Sequence, residues 1–154
     1  MNTVEIIPFE DRYTTDFGQL NFAWLEKYFY IEEYDKKVLN DPRTYILNPG
    51  GHIYLARIGD DIVGTVALIA RDTGTFELSK MAVSEGYLGK RIGQKLMYAC
   101  IHVATALGAD RLFLDSNTIL TPAITLYKKV GFKEIPVPED SPYERCNIRM
   151  ELML

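Results

Sequence analysis

The stretch Tyr87-Leu88-Gly89-Lys90-Arg91-Ile92-Gly93-Gln94-Lys95 lies where a β-rich run ends and a helical pattern begins, and this junction decides the fold. On its N-terminal side, Thr75 to Val83 is predicted to form a strand. On its C-terminal side, apolar residues recur at helical spacing from Ile92 to Leu107, and Gly108 provides a helix stop. The sequence therefore predicts a glycine-containing loop that opens a long helix.

The chemistry of this junction favours an anionic ligand. The first N–H groups of a helix have no partners within it, and the helix macrodipole is positive there, so phosphate oxygens bind readily. Glycines at positions 89 and 93 allow close approach of a ligand to the backbone, and Lys90, Arg91 and Lys95 add positive charge. The loop does not match GxxxxGK[ST], and the chain contains no GxGxxG, so nucleoside triphosphate and dinucleotide sites are disfavoured.

The rest of the chain alternates between strand and helix patterns, which predicts a mixed α/β layer fold. A helix is predicted after Thr121 as N-cap, with Pro122 at its first position and Gly131 at its end. Two earlier helices are predicted from Phe17 to Phe29 and from Ile31 to Leu39. The remaining strands are predicted at Val4 to Phe9, His52 to Ile58, Ile62 to Arg71, Arg111 to Asn117, Phe132 to Pro136 and Cys146 to Leu154.

The length of 154 residues and the apolar fraction of 47% are those of one globular domain, which we expect to span residues 1–154. No run approaches the roughly 20 apolar residues of a membrane span, and Met1 to Phe9 lacks a signal-peptide pattern, so we expect a cytoplasmic protein with no membrane partner. A net charge of −4 argues against general nucleic-acid binding.

The cysteine and histidine residues do not predict a metal site. Cys100 and Cys146 lie in apolar surroundings without CxxC spacing, and we expect both to be thiols of the core. His52 and His102 have no carboxylate or cysteine at ligand spacing, which favours structural roles. We therefore expect no bound metal.

Two segments carry a resemblance to a known family. Val83 and the loop Leu88 to Gly93 occupy the frame of a strand ending in valine, an [RQ]-x-x-G-x-[GA] loop and a helix. The segment Ala123 to Phe132, AITLYKKVGF, is similar to A-I-x-L-Y-x-K-x-G-F. On these motifs and the order of its elements, the chain resembles the GNAT superfamily of N-acetyltransferases. It departs from the usual pattern at Leu88, which replaces Arg or Gln, and at Arg91, which replaces Gly.

The resemblance implies a fold and a cofactor. The implied fold is a mixed, mostly antiparallel sheet of about seven strands flanked by helices (an α+β arrangement), and the implied acyl donor is acetyl-CoA. The loop and the start of the helix would hold the diphosphate, the preceding strand would pair with the pantetheine arm, and an asparagine would contact the cofactor. The residues at these positions are Leu88, Gly89, Lys90, Arg91, Ile92, Gly93, Gln94 and Lys95 for the diphosphate, Met81, Ala82 and Val83 for the arm, and Asn117.

The resemblance also implies catalytic roles. Tyr127 would protonate the departing thiolate of coenzyme A, the alternative being an aromatic residue that only packs in the core. Glu77 would remove a proton from the attacking amine, the alternative being a solvated strand glutamate. Asn117 has the alternative role of capping a turn.

The expected reaction is direct transfer of an acetyl group to the primary amine of a small molecule within a ternary complex. Three alternatives stay open: acetylation of a protein N-terminus or lysine, a non-catalytic acyl-CoA sensor, and a phosphate-binding regulatory domain. The sequence does not fix the acceptor or the oligomeric state, and a homodimer is compatible with it.

Overall fold

A computed structural model describes residues 3–141 and 144–154 of the chain. It contains a seven-stranded sheet with the strand order β1-β2-β3-β4-β5-β7-β6 and confirms the predicted fold. The strands are β1 (Val4–Pro8), β2 (His52–Ile58), β3 (Asp61–Ala70), β4 (Thr75–Val83), β5 (Arg111–Ser116), β6 (Lys133–Ile135) and β7 (Ile148–Met153). The helices are α1 (Thr14–Tyr28), α2 (Glu33–Asn40), α3 (Ile92–Ala106) and α4 (Thr121–Val130).

The two faces of the sheet bury separate apolar clusters. Neighbouring residues of β2 show the alternation, because Leu55 packs with α1 and α2 whereas Ala56 packs with α3 and α4. Close approach of α3 requires a residue without a side chain on β3, since a Cβ on Gly64 would lie 3.1 Å from both Ile92 and Leu96. Helices therefore cover both faces of the sheet.

Among the strands of residues 3–141 and 144–154, β4 and β5 form the only parallel pair, and the two strands separate after three paired residues. They pair from Thr75 with Arg111 to Glu77 with Phe113, yet β4 continues to Val83 and β5 to Ser116. The separated ends leave backbone groups of both strands facing a gap in the middle of the sheet. Such groups need other hydrogen-bond partners, which makes the gap a place for an extended ligand.

A β-bulge lies in β4 beside this gap. Thr65 is opposite Ala82 and Ala67 is opposite Ser79, so β4 carries one extra residue over this interval. Lys80 lies within the bulge and has a left-handed backbone, with φ of 53°. The Thr65 hydroxyl donates to the Lys80 carbonyl at 2.8 Å, and Asn21 of α1 donates to that hydroxyl at 3.0 Å. Helix α1 thus fixes the bulge.

Two local predictions were wrong in detail, and one element was not predicted. The predicted N-cap Thr121 is the first residue of α4, and Leu120 occupies the cap position without a side-chain bond. The helix predicted from Ile31 begins at Glu33, behind a capping box of Glu32 and Asp35. A π-helical turn over Arg43–Leu47 was not predicted. The end of α4 is as predicted, because Gly131 has the left-handed backbone of a helix stop, with φ of 119°.

Within residues 3–141 and 144–154, none of the helices has the length and apolar character needed to cross a membrane. The same part of the chain holds no group of three His, Cys, Asp or Glu side chains suited to a metal ion. Cys100 is a buried free thiol of the core, as predicted, whereas Cys146 is a half-buried free thiol beside a cavity.

Candidate active site

A groove of about 710 Å³ runs along the end of β4 and reaches α3 and α4. We call it the donor groove. Its lining includes the predicted strand residues 81–83, Leu88 and Gly93 of the loop, and Ala123 and Tyr127 of α4. The structure therefore brings the predicted strand, loop and α4 residues together along one groove.

The loop at the rim of this groove exposes its backbone. Gly89 and Arg91 both have left-handed conformations, with φ of 82° and 60°, and α3 begins at Ile92 as predicted. Leu88 is 52% exposed, and a Cβ on Gly89 would meet no atom within 4 Å. This open turn leads directly to the first N–H groups of α3, the part of a helix that binds phosphate.

The loop side chains divide into exposed and buried ones. Lys90, Arg91 and Lys95 are exposed, and Gln94 is half-buried. Ile92 is 2% exposed and packs in the core, so it can reach a ligand only through its backbone. The residues present fit acetyl-CoA: an exposed basic loop for its diphosphate, and strand ends with unpaired edges for its pantetheine arm.

A second cavity, of about 100 Å³, adjoins the donor groove. We call it the acceptor cavity. Trp24, Met81 and Tyr127 line both cavities, so these side chains mark where the two meet. The acceptor cavity is also lined by residues of α1, α2, β4, β5 and the segment before β7, among them Asn21, Phe29, Asp35, Glu77, Ser79, Lys80, Asp115, Ser116, Asn117 and Arg145.

Tyr127 lies at this junction with a protonated phenol. The side chain is 8% exposed, and burial raises the pKa of Tyr127 to about 12, against a smaller opposing effect of its hydrogen bond with Ser116. A phenol with this pKa keeps its proton throughout the physiological range. Tyr127 also packs against Phe132, so the packing role and the proton-donor role are compatible.

Glu77 is buried, which excludes the alternative of a solvated strand glutamate. It is 5% exposed, and Arg71 donates to its Oε1 atom through Nε at 2.9 Å and through Nη2 at 2.5 Å. Burial raises the pKa of Glu77, although the charge of Arg71 acts in the opposite direction. Both Arg71 contacts use one oxygen, so Oε2 does not take part in this pair.

Asn117 uses its side chain within the protein. Its amide nitrogen donates to the Arg145 carbonyl at 2.7 Å, and its oxygen accepts from the Ile119 N–H at 3.0 Å. These bonds match the alternative role of capping a turn. Asn117 also lines the acceptor cavity, and its contact with the cofactor stays a prediction.

A buried ionic cluster lies on the α2 side of the acceptor cavity, and sequence reasoning missed two of its members, Asp35 and Lys80. Arg145 binds both oxygens of Asp35, with Nη1 to Oδ2 and Nη2 to Oδ1 both at 2.9 Å, and its Nη1 also contacts Glu32 at 2.8 Å. Lys80 lies 3.6 Å from Asp35 Oδ1. The side chains of Asp35, Lys80 and Arg145 are 0%, 6% and 15% exposed.

The charged groups of this cluster change one another's pKa values. Burial, together with a smaller effect of the Arg145 charge, lowers the pKa of Lys80 to about 8, while Asp35 and Glu77 oppose the shift. Burial alone would raise the pKa of Asp35, but Arg145 and the Glu32 amide hold it below its usual value. The signal that sequence reasoning could have used was a lysine within the predicted strand Thr75 to Val83, three residues after Glu77.

Comparison with known proteins decides the family. The profile of the acetyltransferase (GNAT) family matches residues 9–132, which cover most of the chain and include β4, the loop and α4. The chain belongs to this family.

Named relatives agree with the GNAT assignment. The uncharacterized N-acetyltransferase YvbK of Bacillus subtilis (strain 168) is 30% identical over 71% of this chain and 72% of that protein. The N-acetylaspartate synthetase of Danio rerio is 30% identical over 68% of this chain, which spans 41% of that protein.

A solved structure extends the likeness to the whole fold. The acetyltransferase of the GNAT family from Staphylococcus aureus MU50 has a TM-score of 0.89 and 25% identity, with 98% of this chain and 99% of that chain covered. This GNAT protein is accordingly an acetyl-CoA-dependent N-acetyltransferase.

Proposed function

We propose that this enzyme acetylates the primary amine of a small molecule by direct attack within a ternary complex. The observation that carries the proposal is the junction of the two cavities at Met81 and Tyr127. An acyl group arriving along the donor groove and an amine held in the acceptor cavity would meet there. Holding both reactants in one place removes much of the entropic barrier to their reaction.

The size of the acceptor cavity and the ion pairs along its wall support a small acceptor. Its volume is about 100 Å³, and Arg145, in the segment before β7, joins one side of it to the start of α2 by ion pairs with Glu32 and Asp35. Tyr30 and Glu144 add a further hydrogen bond between the α1–α2 connection and this segment. A lysine or N-terminus of a folded protein would require an open and shallow groove at this place.

The site residues take the following proposed roles. The backbone of 81–83 binds the pantetheine arm, and the 88–95 segment binds the diphosphate. Acetyl-CoA supplies the acetyl group as a thioester, activated for attack by an amine. Tyr127 donates its phenolic proton to the sulfur that leaves, since its raised pKa keeps the proton in place until then.

Glu77 is the proposed proton acceptor for the amine. An unperturbed amine is mostly protonated near pH 7 and must lose a proton before it attacks. A buried carboxylate with a raised pKa is better matched to this transfer than an exposed one. Arg71 orients the carboxylate through Oε1.

Two measurements test the proposed function. In thermal melts, acetyl-CoA at 100 times its Kd is expected to stabilise the fold by about 2.7 kcal/mol, and ATP is the control ligand. A thiol-release assay across small amines and lysine-containing peptides then identifies the acceptor. Stabilisation with turnover of peptides alone would overturn the small-molecule proposal, and stabilisation without any turnover would indicate an acyl-CoA sensor.

A further inference from the structure

The acceptor cavity contains a lysine whose position is costly to maintain. Lys80 has a left-handed backbone, which costs a residue with a Cβ roughly 1–2 kcal/mol, and its side chain is only 6% exposed. Burial of its ammonium group is a further cost. Strained and buried groups of this kind cluster at functional sites, because function compensates for the lost stability.

The bulge in β4 turns this lysine toward the acceptor cavity. Without an extra residue, positions 77 and 80 of a strand would face opposite sides of the sheet, since side chains alternate. The bulge shifts this alternation, so Lys80 and Glu77 both line the cavity. The hydrogen bonds from Thr65 and Asn21 hold the bulge in this form.

The pairing within the cluster shows that Lys80 is not needed to neutralise Asp35. Arg145 already binds both Asp35 oxygens at 2.9 Å, and the Glu32 amide binds Oδ2 at 2.9 Å. The Lys80 ammonium lies 3.6 Å from Oδ1, which is longer than a charge-assisted hydrogen bond of about 2.7–2.9 Å. Lys80 therefore adds a positive charge to a wall of the cavity where Arg145 and the Glu32 amide already bind Asp35.

The cavity thus presents two poles of opposite charge on one strand. Glu77 supplies a carboxylate, which forms an ion pair with Arg71. Lys80 supplies an ammonium group, which forms an ion pair with Asp35. The remaining charged groups of the lining, Asp115 and Arg145, are themselves paired, with Arg149 and with Asp35 and Glu32. A molecule with an amine and a carboxylate a few bonds apart is complementary to this arrangement.

Resting on the proposed function, we propose that the acceptor is a small amine that also carries a carboxylate, and that Lys80 binds this carboxylate inside the acceptor cavity. The amine then lies toward Glu77 and the cavity junction. Lys80 is a specificity-determining residue in this arrangement: it selects acceptors by their charge and takes no part in proton transfer.

Matched pairs of acceptors test this proposal. Amino acids and their carboxamides, such as glycine and glycinamide or alanine and alaninamide, differ in the charged group alone. Rates are compared per concentration of neutral amine, because the amide also changes the pKa of the amine. The native enzyme is expected to show kcat/KM at least tenfold higher for the acids than for the amides.

Variants of Lys80 assign this preference to the lysine. Lys80→Met is expected to abolish the preference by raising KM for the acids at least tenfold, with kcat/KM for the amides within threefold of the native value. Lys80→Arg keeps the charge and is expected to retain part of the preference. Lys36→Met, which removes an exposed lysine of α2, is the matched control and leaves both acceptors unchanged.

Three results would overturn the inference: equal use of acids and amides by the native enzyme, a preference that persists in Lys80→Met, or an equal loss of kcat on both acceptors in that variant. Stabilisation of each variant by acetyl-CoA shows that it has folded. If acetyl-CoA binds but no small amine is acetylated, the proposed function fails and this inference with it. If small amines are acetylated without regard to charge, this inference alone fails.

Discussion

The donor groove and the acceptor cavity adjoin each other, yet they are built in different ways. The donor side offers backbone groups of a loop in which Leu88 is 52% exposed, with basic side chains in solvent. The acceptor side offers buried side chains, and Asp35 is fully buried in contact with the charges of Lys80 and Arg145 and with the Glu32 amide. A ligand common to a whole family can be held by local backbone, whereas selection of one acceptor requires side chains assembled from distant parts of the chain.

The largest expected effect is a loss of folding stability when the ionic cluster of the acceptor cavity is broken. Asp35→Asn leaves Lys80 and Arg145 buried without their shared carboxylate, and breaking such a group costs about 3–5 kcal/mol. For a chain of this size, 1 kcal/mol corresponds to about 2–4 °C, so the melting temperature is expected to fall by at least about 6 °C. Glu33→Gln, at a glutamate 84% exposed on the same helix, is the control and is expected to have no such effect. A loss below 1 kcal/mol for Asp35→Asn would show that the cluster is not a stabilising unit.

The second largest effect is expected at Tyr127, where a substitution should slow the reaction without weakening the binding of acetyl-CoA. Tyr127→Phe removes the proposed proton donor and is expected to lower kcat by about 10²-fold or more, while the Kd of acetyl-CoA changes by less than about threefold. Tyr98→Phe, at a tyrosine 47% exposed on α3, is the matched control. The measurements are thiol release and binding calorimetry. Native turnover by Tyr127→Phe would leave this tyrosine with a packing role only.

A smaller effect is expected from the loss of folding stability that burial of Lys80 causes. Burial lowers the pKa of Lys80 to about 8 in the folded protein, below the ordinary lysine value of 10.5 that applies to the unfolded chain. Between these values the unfolded chain binds more protons, so the contribution of Lys80 to stability rises with pH. Lys80→Met is therefore expected to melt a few degrees higher than the native protein at pH 7, with a smaller difference at pH 10. Thermal melts at both values check this, and a variant less stable at pH 7 would contradict it.

The smallest expected effect lies on the donor side. Lys90→Ala removes one exposed charge from the loop and is expected to weaken acetyl-CoA binding by about 0.2–1 kcal/mol, without a change in melting temperature. Because exposed charges are screened, the loss is expected to shrink as salt increases. Lys37→Ala on α2 is the control. Titration calorimetry at low and high salt measures the difference, and a salt-independent loss would argue against a charge contact.

The same contrast explains what the sequence could predict. The loop, the start of α3 at Ile92 and the end of α4 at Gly131 depend on local spacing and backbone preference, and all three were located correctly. The strands are close to their predicted bounds for the same reason, because alternation and turn residues act over short distances. Tyr127 and Glu77 both line the acceptor cavity, and their catalytic roles stay predictions.

The acceptor side depends on information that local patterns do not carry. The bulge at Lys80 appears only when β4 pairs with β3, and a strand pattern read alone gives no extra residue. Arg145 and Asp35 are 110 positions apart, so their ion pair follows from the complete fold. The π-helical turn at Arg43–Leu47 was missed because its bonding depends on how the chain enters β2.

The donor groove and the acceptor cavity share the side chains of Trp24, Met81 and Tyr127, and the other residues that line each of them line that one alone. Changes in α2 or in the segment near residue 145 alter the acceptor cavity alone, because these parts of the chain do not line the donor groove, whereas α1 lines both cavities. New acceptors can therefore be acquired by gradual substitution, with each ancestor still able to load its acyl donor. The same separation offers a route for laboratory retargeting, in which α1 and residues 81–95 are kept and the acceptor-cavity residues of α2 and of the segment before β7 are replaced.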